Sequence, residues 1–500
     1  MLQVGEMAYR VVIVPPGVTL ARSTVALLEE FASGGGAVIA IEPLPTMVEG
    51  RAAESVLPEG ITVIELEREA LRSALDAILP PDVELPGAPR VWYHHRRVTP
   101  PFPPDVGGEQ RGGEVYFLAN TDFERGAVVT ARLQGEGRLE DWDLMSGEVR
   151  PLASRCAEGY TTVTLDFPPV GSHLLVIDPH GEPLVEEPPP LRTVQAVDLG
   201  ETWSFVRHDP NALTLDYCQY RLSDGQWSGR LPVWRAFREV MAAGLGTRFG
   251  LRYTFDVAQP LDDRVALVLE SPECFSIALN GQPVEYEDQG WWTDTSFRKV
   301  DVMELVRGGE NEIVLEGVVG QDTEIEHLNI IGDFGVAASP LGRRNRIEGQ
   351  TFEALAPRFR LTQEPMTLNS GDLVSQGYPF FAGAISLTQH LTLPALEGRV
   401  FLAFDRGEVP LVEVRVNGQS AGCVMWPPHE VEVTRLLCEG ENTFTLKLVS
   451  SLRNLLGPHH QEGGDKPWTG PAEFENVPDW TDDYWFVPFG VEGVRFLVRR

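Results

Sequence analysis

The sequence predicts a mainly β, multi-domain protein. Three observations support this: apolar and polar residues alternate through most of the 500 positions, one turn motif occurs twice, and a strand-helix pattern is confined to the start. We divide the chain into a small α/β domain at 1–87, a small antiparallel β-sandwich with a Pro-rich linker at 88–190, and two larger β-sandwich domains at 191–345 and 346–500.

The α/β prediction for the first domain comes from the order of its segments. An apolar strand at 9–14 is followed by helical spacing of apolar residues at 20–31 and a second buried strand at 37–41. The same strand-helix order recurs at 61–66 and 67–78. Parallel strands need such crossovers, so we expect a small parallel sheet.

A glycine triplet, Gly34-Gly35-Gly36, separates the first helix from the next strand. A phosphate-binding loop would instead precede a helix, where backbone amides face the phosphates. The triplet is therefore predicted to end the helix, and nucleotide binding is disfavoured.

Short strands separated by turns predict the small sandwich. They lie at 91–95, 115–120, 128–133, 160–167 and 172–177. This spacing favours a compact antiparallel fold. The proline-rich stretch that follows is expected to be a stiff, extended linker.

The repeated turn motif defines the two larger sandwiches. Leu279-Asn-Gly-Gln282 is followed by Gly309-Glu-Asn311, and Val416-Asn-Gly-Gln419 is followed by Gly440-Glu-Asn442. Asn-Gly suits a tight hairpin because both residues tolerate positive φ. The layout resembles the jelly-roll, galactose-binding-like domains of glycoside hydrolases.

Composition excludes several classes of partner. A net charge of -32 argues against nucleic acid, whose phosphates attract clustered Lys and Arg. No apolar run is long enough to span a bilayer, and no signal segment is recognised, so we expect a cytoplasmic chain that has no membrane partner. The five cysteines show no C-x-x-C spacing, and neither a metal nor a cofactor is expected.

Five short motifs carry a wider family resemblance. They are Leu215-Asp-Tyr-Cys218, Leu328-Asn-Ile-Ile-Gly-Asp-Phe-Gly335, Gln376-Gly-Tyr-Pro-Phe-Phe-Ala-Gly383, Asn454-Leu-Leu-Gly-Pro-His-His460 and Trp480-Thr-Asp-Asp-Tyr484. Their order resembles the C-terminal, non-barrel half of large bacterial glycoside hydrolases of the α-L-rhamnosidase-like and β-galactosidase-like kinds. In the same way, the first domain resembles the flavodoxin-like domain of such enzymes.

The resemblance implies carbohydrate as a partner, but it supplies no catalytic residue. Such enzymes place their carboxylates in a (β/α)8 barrel of about 250 residues, and no comparable alternation is found in this sequence. The catalytic residues are therefore unknown. The resemblance implies a separate barrel subunit, a lost N-terminal part, or association of several copies of the chain.

The candidate sugar-binding residues lie where the two repeats differ. Trp291 and Trp292 fall in the insert of the first repeat, and their rings could either stack on a sugar or cover the sandwich. His459, His460, Trp468 and Trp485 fall in a C-terminal segment rich in glycine and proline, which could either approach a substrate or form a surface loop.

Metal binding by these residues is not expected. Neighbouring side chains such as His459 and His460 point apart in an extended strand, and no second ligand pair stands at useful spacing. Glu324 and Glu326 would share a strand face, but without an Asp-rich loop they are expected to form a solvated edge rather than a calcium site.

Three functional interpretations remain open. The first is the accessory carbohydrate-binding and scaffolding portion of a glycoside hydrolase, acting in carbohydrate metabolism without a catalytic barrel. The second is an active, rhamnosidase-like glycosidase with an unrecognised site between domains. The third is a structural or oligomerisation protein.

Overall fold

The computed structural model describes residues 2–5, 7–98, 113–186, 191–261, 264–345, 351–462 and 477–500. Strands account for 49% and helices for 11% of it, arranged in several sheets. The predicted mainly β, multi-domain fold is confirmed.

A three-stranded parallel sheet forms the core of the N-terminal unit. Its strands, in spatial order, are Val11–Val14, Ala37–Ile41 and Thr62–Ile64. Helix Arg22–Ser33 provides the crossover between the first two strands, and helix Arg68–Ile78 follows the third strand. The remaining short strands of the unit are Leu2–Val4, Met7–Tyr9, Thr19–Leu20, Met47–Val48 and Arg51–Ala52.

The glycine triplet ends the first helix for steric reasons. Gly35 has a φ of +81°, which disfavours residues with a Cβ. At Gly36, a Cβ would lie 2.3 Å from the ring of Phe31, which is buried in the core of this unit. The triplet thus allows the chain to turn tightly under Phe31 and enter the second strand.

The small sandwich consists of two antiparallel sheets. One contains Val91–Val98, Gly113–Asn120, Ser172–Asp178, Arg138–Trp142 and Val149–Leu152. The other contains Arg155–Ala157, Tyr160–Phe167, Ala127–Gln134 and Val83–Glu84. Alternate residues of the facing strands, among them Tyr116, Leu133 and Phe167, fill the space between the sheets.

The sandwich that contains the first repeat also has two sheets. The first is formed by Asn211–Leu215, Leu328–Gly332, Val265–Glu270, Asp294–Asp301 and Trp291–Trp292. The second is formed by Leu231–Pro232, Tyr217–Leu222, Arg248–Val257, Gly309–Val318, Ser276–Leu279 and Gln282–Val284, with Gly335–Ala337 and Arg360–Thr362 beside them. Helix Val233–Ala242 packs against Tyr217–Leu222.

The sandwich that contains the second repeat has a similar plan. One sheet contains Leu368–Asn369, Thr202–Arg207, Ala384–Leu393, Gly440–Val449, Leu411–Val416 and Gln419–Val424, and the other contains Thr193–Asp198, Arg495–Arg499, Arg399–Ala403 and Glu430–Glu432. Two small sheets complete it, formed by Pro340–Asn345, Thr351–Leu355 and Tyr484–Phe486, and by Gly371–Asp372, Gly490–Glu492 and Arg406–Glu408.

Strand pairing joins the two large sandwiches across residue 345. Thr193–Asp198 pairs with Arg495–Arg499, and Thr202–Arg207 pairs with Ala384–Leu393. In return, Arg360–Thr362 pairs with Arg248–Val257. The buried apolar residues of both sandwiches form one continuous core. The boundary between 191–345 and 346–500 stays a prediction, and the two segments are physically interlocked.

The repeated motif forms the same asparagine cage in both sandwiches. Asn280 and Asn417, with φ of 55° and 52°, each occupy the hairpin turn. The Nδ2 of Asn417 donates to the Oδ1 of Asn442 at 2.9 Å, and the corresponding Asn280–Asn311 distance is 2.8 Å. Asn442 Nδ2 then donates to the carbonyls of Cys438 and Gly440. The asparagine cage therefore fixes two turns against each other.

We expect Asn442→Ala to destabilise the protein by about 2–4 kcal/mol, because it leaves several buried carbonyls and amides without partners. Asn311→Ala, in the first repeat, should have a similar effect. Urea unfolding followed by circular dichroism measures both. Thr443→Ala, on the more exposed side of the same turn, is the control. A loss of unfolding free energy no larger than that of the control would contradict the stabilising role of the asparagine cage.

Candidate functional site

Asp216 is the centre of a cluster of polar residues between the two large sandwiches. It lies between strands Asn211–Leu215 and Tyr217–Leu222, with 18% of its side chain exposed. Tyr484 donates its hydroxyl proton to Oδ1 at 2.5 Å, and the Nε2 of His460 lies 3.0 Å from Oδ2. One carboxylate therefore links the first sandwich to the C-terminal segment.

The two adjacent histidines have different roles. His460 faces oxygen acceptors on both sides, Asp216 at Nε2 and the Thr481 carbonyl at Nδ1, so both ring nitrogens are placed to donate. Burial lowers the pKa of His459 to about 3, which keeps that ring neutral. Its Nε2 donates to the Asn454 carbonyl at 2.8 Å. His460 is thus the direct hydrogen-bonding partner of Asp216.

Both histidine rings point toward Asp216, contrary to the divergence expected of neighbours in a strand. The His459 Nδ1 lies 3.8 Å from the Asp216 Oδ2. The reason is that residues 457–460 are not a strand, and the chain turns at Gly457, whose φ is +87°. Periodicity of two does not apply to such a segment.

Aromatic rings surround His460. The Trp480 ring stacks on it with centroids 4.5 Å apart, and the rings of Tyr484 and Tyr217 approach at 4.4 and 5.4 Å. Tyr217 in turn donates its hydroxyl proton to Asp482 at 2.7 Å. The surrounding rings therefore hold the imidazole of His460 in place against Asp216.

The cluster keeps Asp216 ionised. Burial by itself would raise the pKa of this carboxyl, but the charge and hydrogen bond of His460, with His459 and Tyr484, lower it to about 2. A carboxylate held in this way is a fixed charge at neutral pH. It is poorly suited to donate a proton, as a general acid must.

A cavity of about 250 Å³ lies beside this cluster. Helix Val233–Ala242 supplies Val233, Trp234 and Phe237 to its wall. Trp480 lies across from the helix, and its ring centroid is 5.8 Å from that of Trp234 in an edge-to-face arrangement. The other wall residues are Thr214, Asp216, Ile325, Glu326, His327, Leu456, Pro458, His459 and His460.

Two buried nitrogen atoms of wall residues lack hydrogen-bond partners among the described residues. They are the indole Nε1 of Trp234 and the Nε2 of His327. Burial lowers the pKa of His327, so its ring is neutral and offers one donor and one acceptor. Buried polar atoms without partners are uncommon in proteins.

The sequence-predicted site residues do not all come together. His459 and His460 line the cavity. Trp485 is 7% exposed and packs against Phe352 and Ala354 in a separate small core. Trp292 is 9% exposed within the core of the first sandwich, whereas Trp291 is 54% exposed on an edge strand. Trp468 lies outside the described residues.

Sequence reasoning gave no site role to Asp216, Trp234 or His327. Asp216 stands inside the Leu215-Asp-Tyr-Cys218 motif, but nothing in the sequence links it to His460, which is 244 positions away. Trp234 lies on a helix among other aromatic and apolar residues, and His327 is a single histidine near Glu324 and Glu326, so neither residue stands out in the sequence. A charged residue between two apolar strands was the one local signal for Asp216.

The described part of the chain contains neither a metal-binding cluster nor a membrane-spanning helix. No group of three His, Cys, Asp or Glu residues there is placed to hold a metal ion. The described helices are too short to cross a bilayer; the longest, Arg22–Ser33, has 12 residues.

Comparison with known proteins identifies no family. No protein-family model matches the chain, and no curated protein matches it. Solved structures similar to it include a rhamnosidase from Novosphingobium sp. PP1Y, at 16% identity and a TM-score of 0.43, covering 96% of this chain and 32% of the rhamnosidase. The chain therefore spans about a third of that protein.

Two further solved structures are similar to the chain. An α-L-rhamnosidase from Streptomyces avermitilis, complexed with L-rhamnose, aligns at 11% identity and a TM-score of 0.19, over 74% of this chain and 33% of its own. A Pleurotus ostreatus lectin aligns at 11% identity and a TM-score of 0.15, over 51% and 79%. At such low values the likeness does not extend to substrate or activity.

We expect Asp216→Asn to remove a stabilising contribution that depends on pH. The folded-state pKa of Asp216 is lowered from 3.8 to about 2, so its contribution, about 2 kcal/mol, is present above pH 3.8 and is lost as the pH falls toward 2. Urea midpoints measured from neutral to acidic pH should therefore fall more steeply for the wild type than for Asp216→Asn.

Asp482→Asn is the matched control, because Asp482 is an exposed carboxylate hydrogen-bonded to Tyr217 in the same cluster. Its curve should run parallel to that of the wild type. Parallel curves for Asp216→Asn would show instead that Asp216 does not carry the charge in the folded protein.

Proposed function

We propose that this chain is a carbohydrate-binding and scaffolding unit related to glycoside hydrolases, and that a glycan occupies the cavity whose wall contains Trp234 and Trp480. The observation that carries the proposal is the pairing of two indole rings with two unpartnered buried nitrogen atoms in one recess. Aromatic faces suit the C–H faces of a sugar ring, and the free nitrogens suit its hydroxyls.

The size of the cavity favours one sugar ring. At about 250 Å³ it falls just below the range of about 300–1,000 Å³ that is typical of small-molecule sites. Asp216 in its wall already accepts hydrogen bonds from His460 and Tyr484. Such a site would bind by stacking and hydrogen bonding, with little need for charge on the sugar.

The scaffolding part of the proposal rests on the interlocked sandwiches. A single core and reciprocal strand pairing make residues 193–499 a rigid support, as far as the structure describes them. Glycoside cleavage would then be supplied by a separate barrel-containing subunit, with association of several copies as the alternative partner arrangement. The chain itself would place the glycan.

Trp234→Phe should weaken sugar binding about tenfold, because it keeps a ring but removes the Nε1 donor, a hydrogen bond worth about 1 kcal/mol or more. Isothermal titration with a panel of neutral and acidic mono- and disaccharides, or their effect on tryptophan fluorescence, measures it. Trp291→Ala is the comparison, because that ring is exposed in the insert of the first repeat.

The comparison separates two places for the glycan. Unchanged binding by Trp291→Ala with weaker binding by Trp234→Phe supports the cavity. Weaker binding by Trp291→Ala with unchanged binding by Trp234→Phe would show instead that the glycan binds at the insert of the first repeat. Absence of binding to every sugar in the panel would reject carbohydrate binding and favour a purely structural protein.

The pure chain is expected to give no turnover of nitrophenyl glycosides, including the rhamnoside. Glycoside cleavage needs two carboxyl groups about 5–10 Å apart, one of which can donate a proton, and Asp216 is held ionised. Release of nitrophenol is measured by the absorbance of nitrophenolate, with a known rhamnosidase as positive control. Turnover that survives in Asp216→Asn would point to another site in this chain.

A further inference from the structure

A second recess, larger than the cavity, opens on the same cluster. It has a volume of about 720 Å³ and shares Thr214 and Asp216 with the cavity wall. Three arginines line it, Arg230, Arg358 and Arg360, and we refer to it as the arginine groove. Its walls come from both interlocked sandwich segments, so its shape depends on their joint folding.

The three guanidinium groups differ in their partners. The Arg360 Nε is paired with the Asp256 carboxylate at 2.9 Å. Arg230 lies over the Tyr217 ring, with Cζ 4.0 Å from its centroid, and Arg358 is exposed in the turn after Pro357. Neither Arg230 nor Arg358 has an ion-pair partner among the described residues. The wall of the groove thus includes two arginines that make no direct ion pair with a described residue.

The groove also contains hydrogen-bond acceptors. Asp216, Asp256 and Glu310 line it, and carboxylates accept hydrogen bonds from hydroxyl groups. Tyr217 and Phe359 add aromatic area. A ligand matching this wall carries several hydroxyls and one anionic group. Arginine suits a carboxylate or a sulfate, because its planar fork can donate two parallel hydrogen bonds.

The overall charge of the protein makes this local arrangement selective. A net charge of -32 repels anions from most of the surface, so an anion gains only where guanidinium groups are close and oriented. Arg230 is oriented by its stacking on Tyr217, which is itself held by Asp482. The groove therefore offers an oriented cation beside acceptors for hydroxyls.

We propose that the arginine groove binds an acidic sugar unit, whose carboxylate or sulfate is held by Arg230 and Arg358. This rests on the proposed carbohydrate binding and narrows it to acidic glycans. The sugar hydroxyls face Asp256 and Glu310, and a neighbouring sugar ring of the same glycan lies toward the Trp234 cavity.

The test compares matched neutral and acidic probes by isothermal titration. The probes are a galactose disaccharide, a galacturonate disaccharide and a sulfated galactose disaccharide, with acetate as a free anion. The wild type should bind an acidic disaccharide at least about tenfold more tightly than the neutral one, as expected for a charge-assisted hydrogen bond. Added salt should reduce that preference.

Arg358→Gln should remove most of the preference and leave binding of the neutral disaccharide unchanged. Arg230→Lys keeps the charge but loses the planar fork, so it should lower the preference partly. Arg155→Gln, at an exposed arginine on the small sandwich, is the control and should match the wild type. A larger response to the uronate or to the sulfated probe identifies the anion.

The outcomes separate this inference from the function on which it rests. Equal binding of neutral and acidic disaccharides, or a preference that persists in Arg358→Gln, overturns the acidic-sugar assignment and leaves the Trp234 cavity intact. Acetate binding as tightly as the acidic disaccharides overturns it too, in favour of a simple anion site. Binding of no saccharide at all rejects both proposals.

Discussion

The buried ionised carboxylate of Asp216 constrains much of the surrounding structure. A charge removed from water is costly unless it is paired and hydrogen-bonded, and the partners here come from a distant part of the chain. Tyr484 and His460 must reach Asp216, so the C-terminal segment has to return to the first sandwich. That return creates both recesses, because each has Asp216 in its wall.

The repeated motif and the polar cluster around Asp216 have different roles in the structure. The asparagine cages at Asn311 and Asn442 have the same hydrogen bonds in both sandwiches, which marks them as architecture. Apart from Glu310, the residues of the recesses lie outside the motif, and they come from both segments. The duplication thus supplies two similar sandwiches, and the two recesses proposed to bind ligand lie where these sandwiches meet.

Sequence patterns predicted those features that depend on neighbouring residues alone. Strand-helix order predicted the parallel sheet, and Asn-Gly predicted the turns that Asn280 and Asn417 adopt. The pairing of Asp216 with His460 was beyond such reasoning, because sequence spacing does not encode contacts between segments 244 residues apart. Periodicity also placed Trp291 and Trp292 in the same insert without showing which ring is exposed, since that depends on the pairing of an edge strand.

The interlocked strands have a consequence for synthesis of the protein in a cell. Thr193 and its partner strand at Arg499 are 306 positions apart, which a ribosome takes about 15–60 s to translate. During that interval strand Thr193–Asp198 has no partner, and its unpaired backbone N–H and C=O groups can pair with another chain. Strand Arg495–Arg499 therefore completes this sheet, and its loss would leave Thr193–Asp198 unpaired.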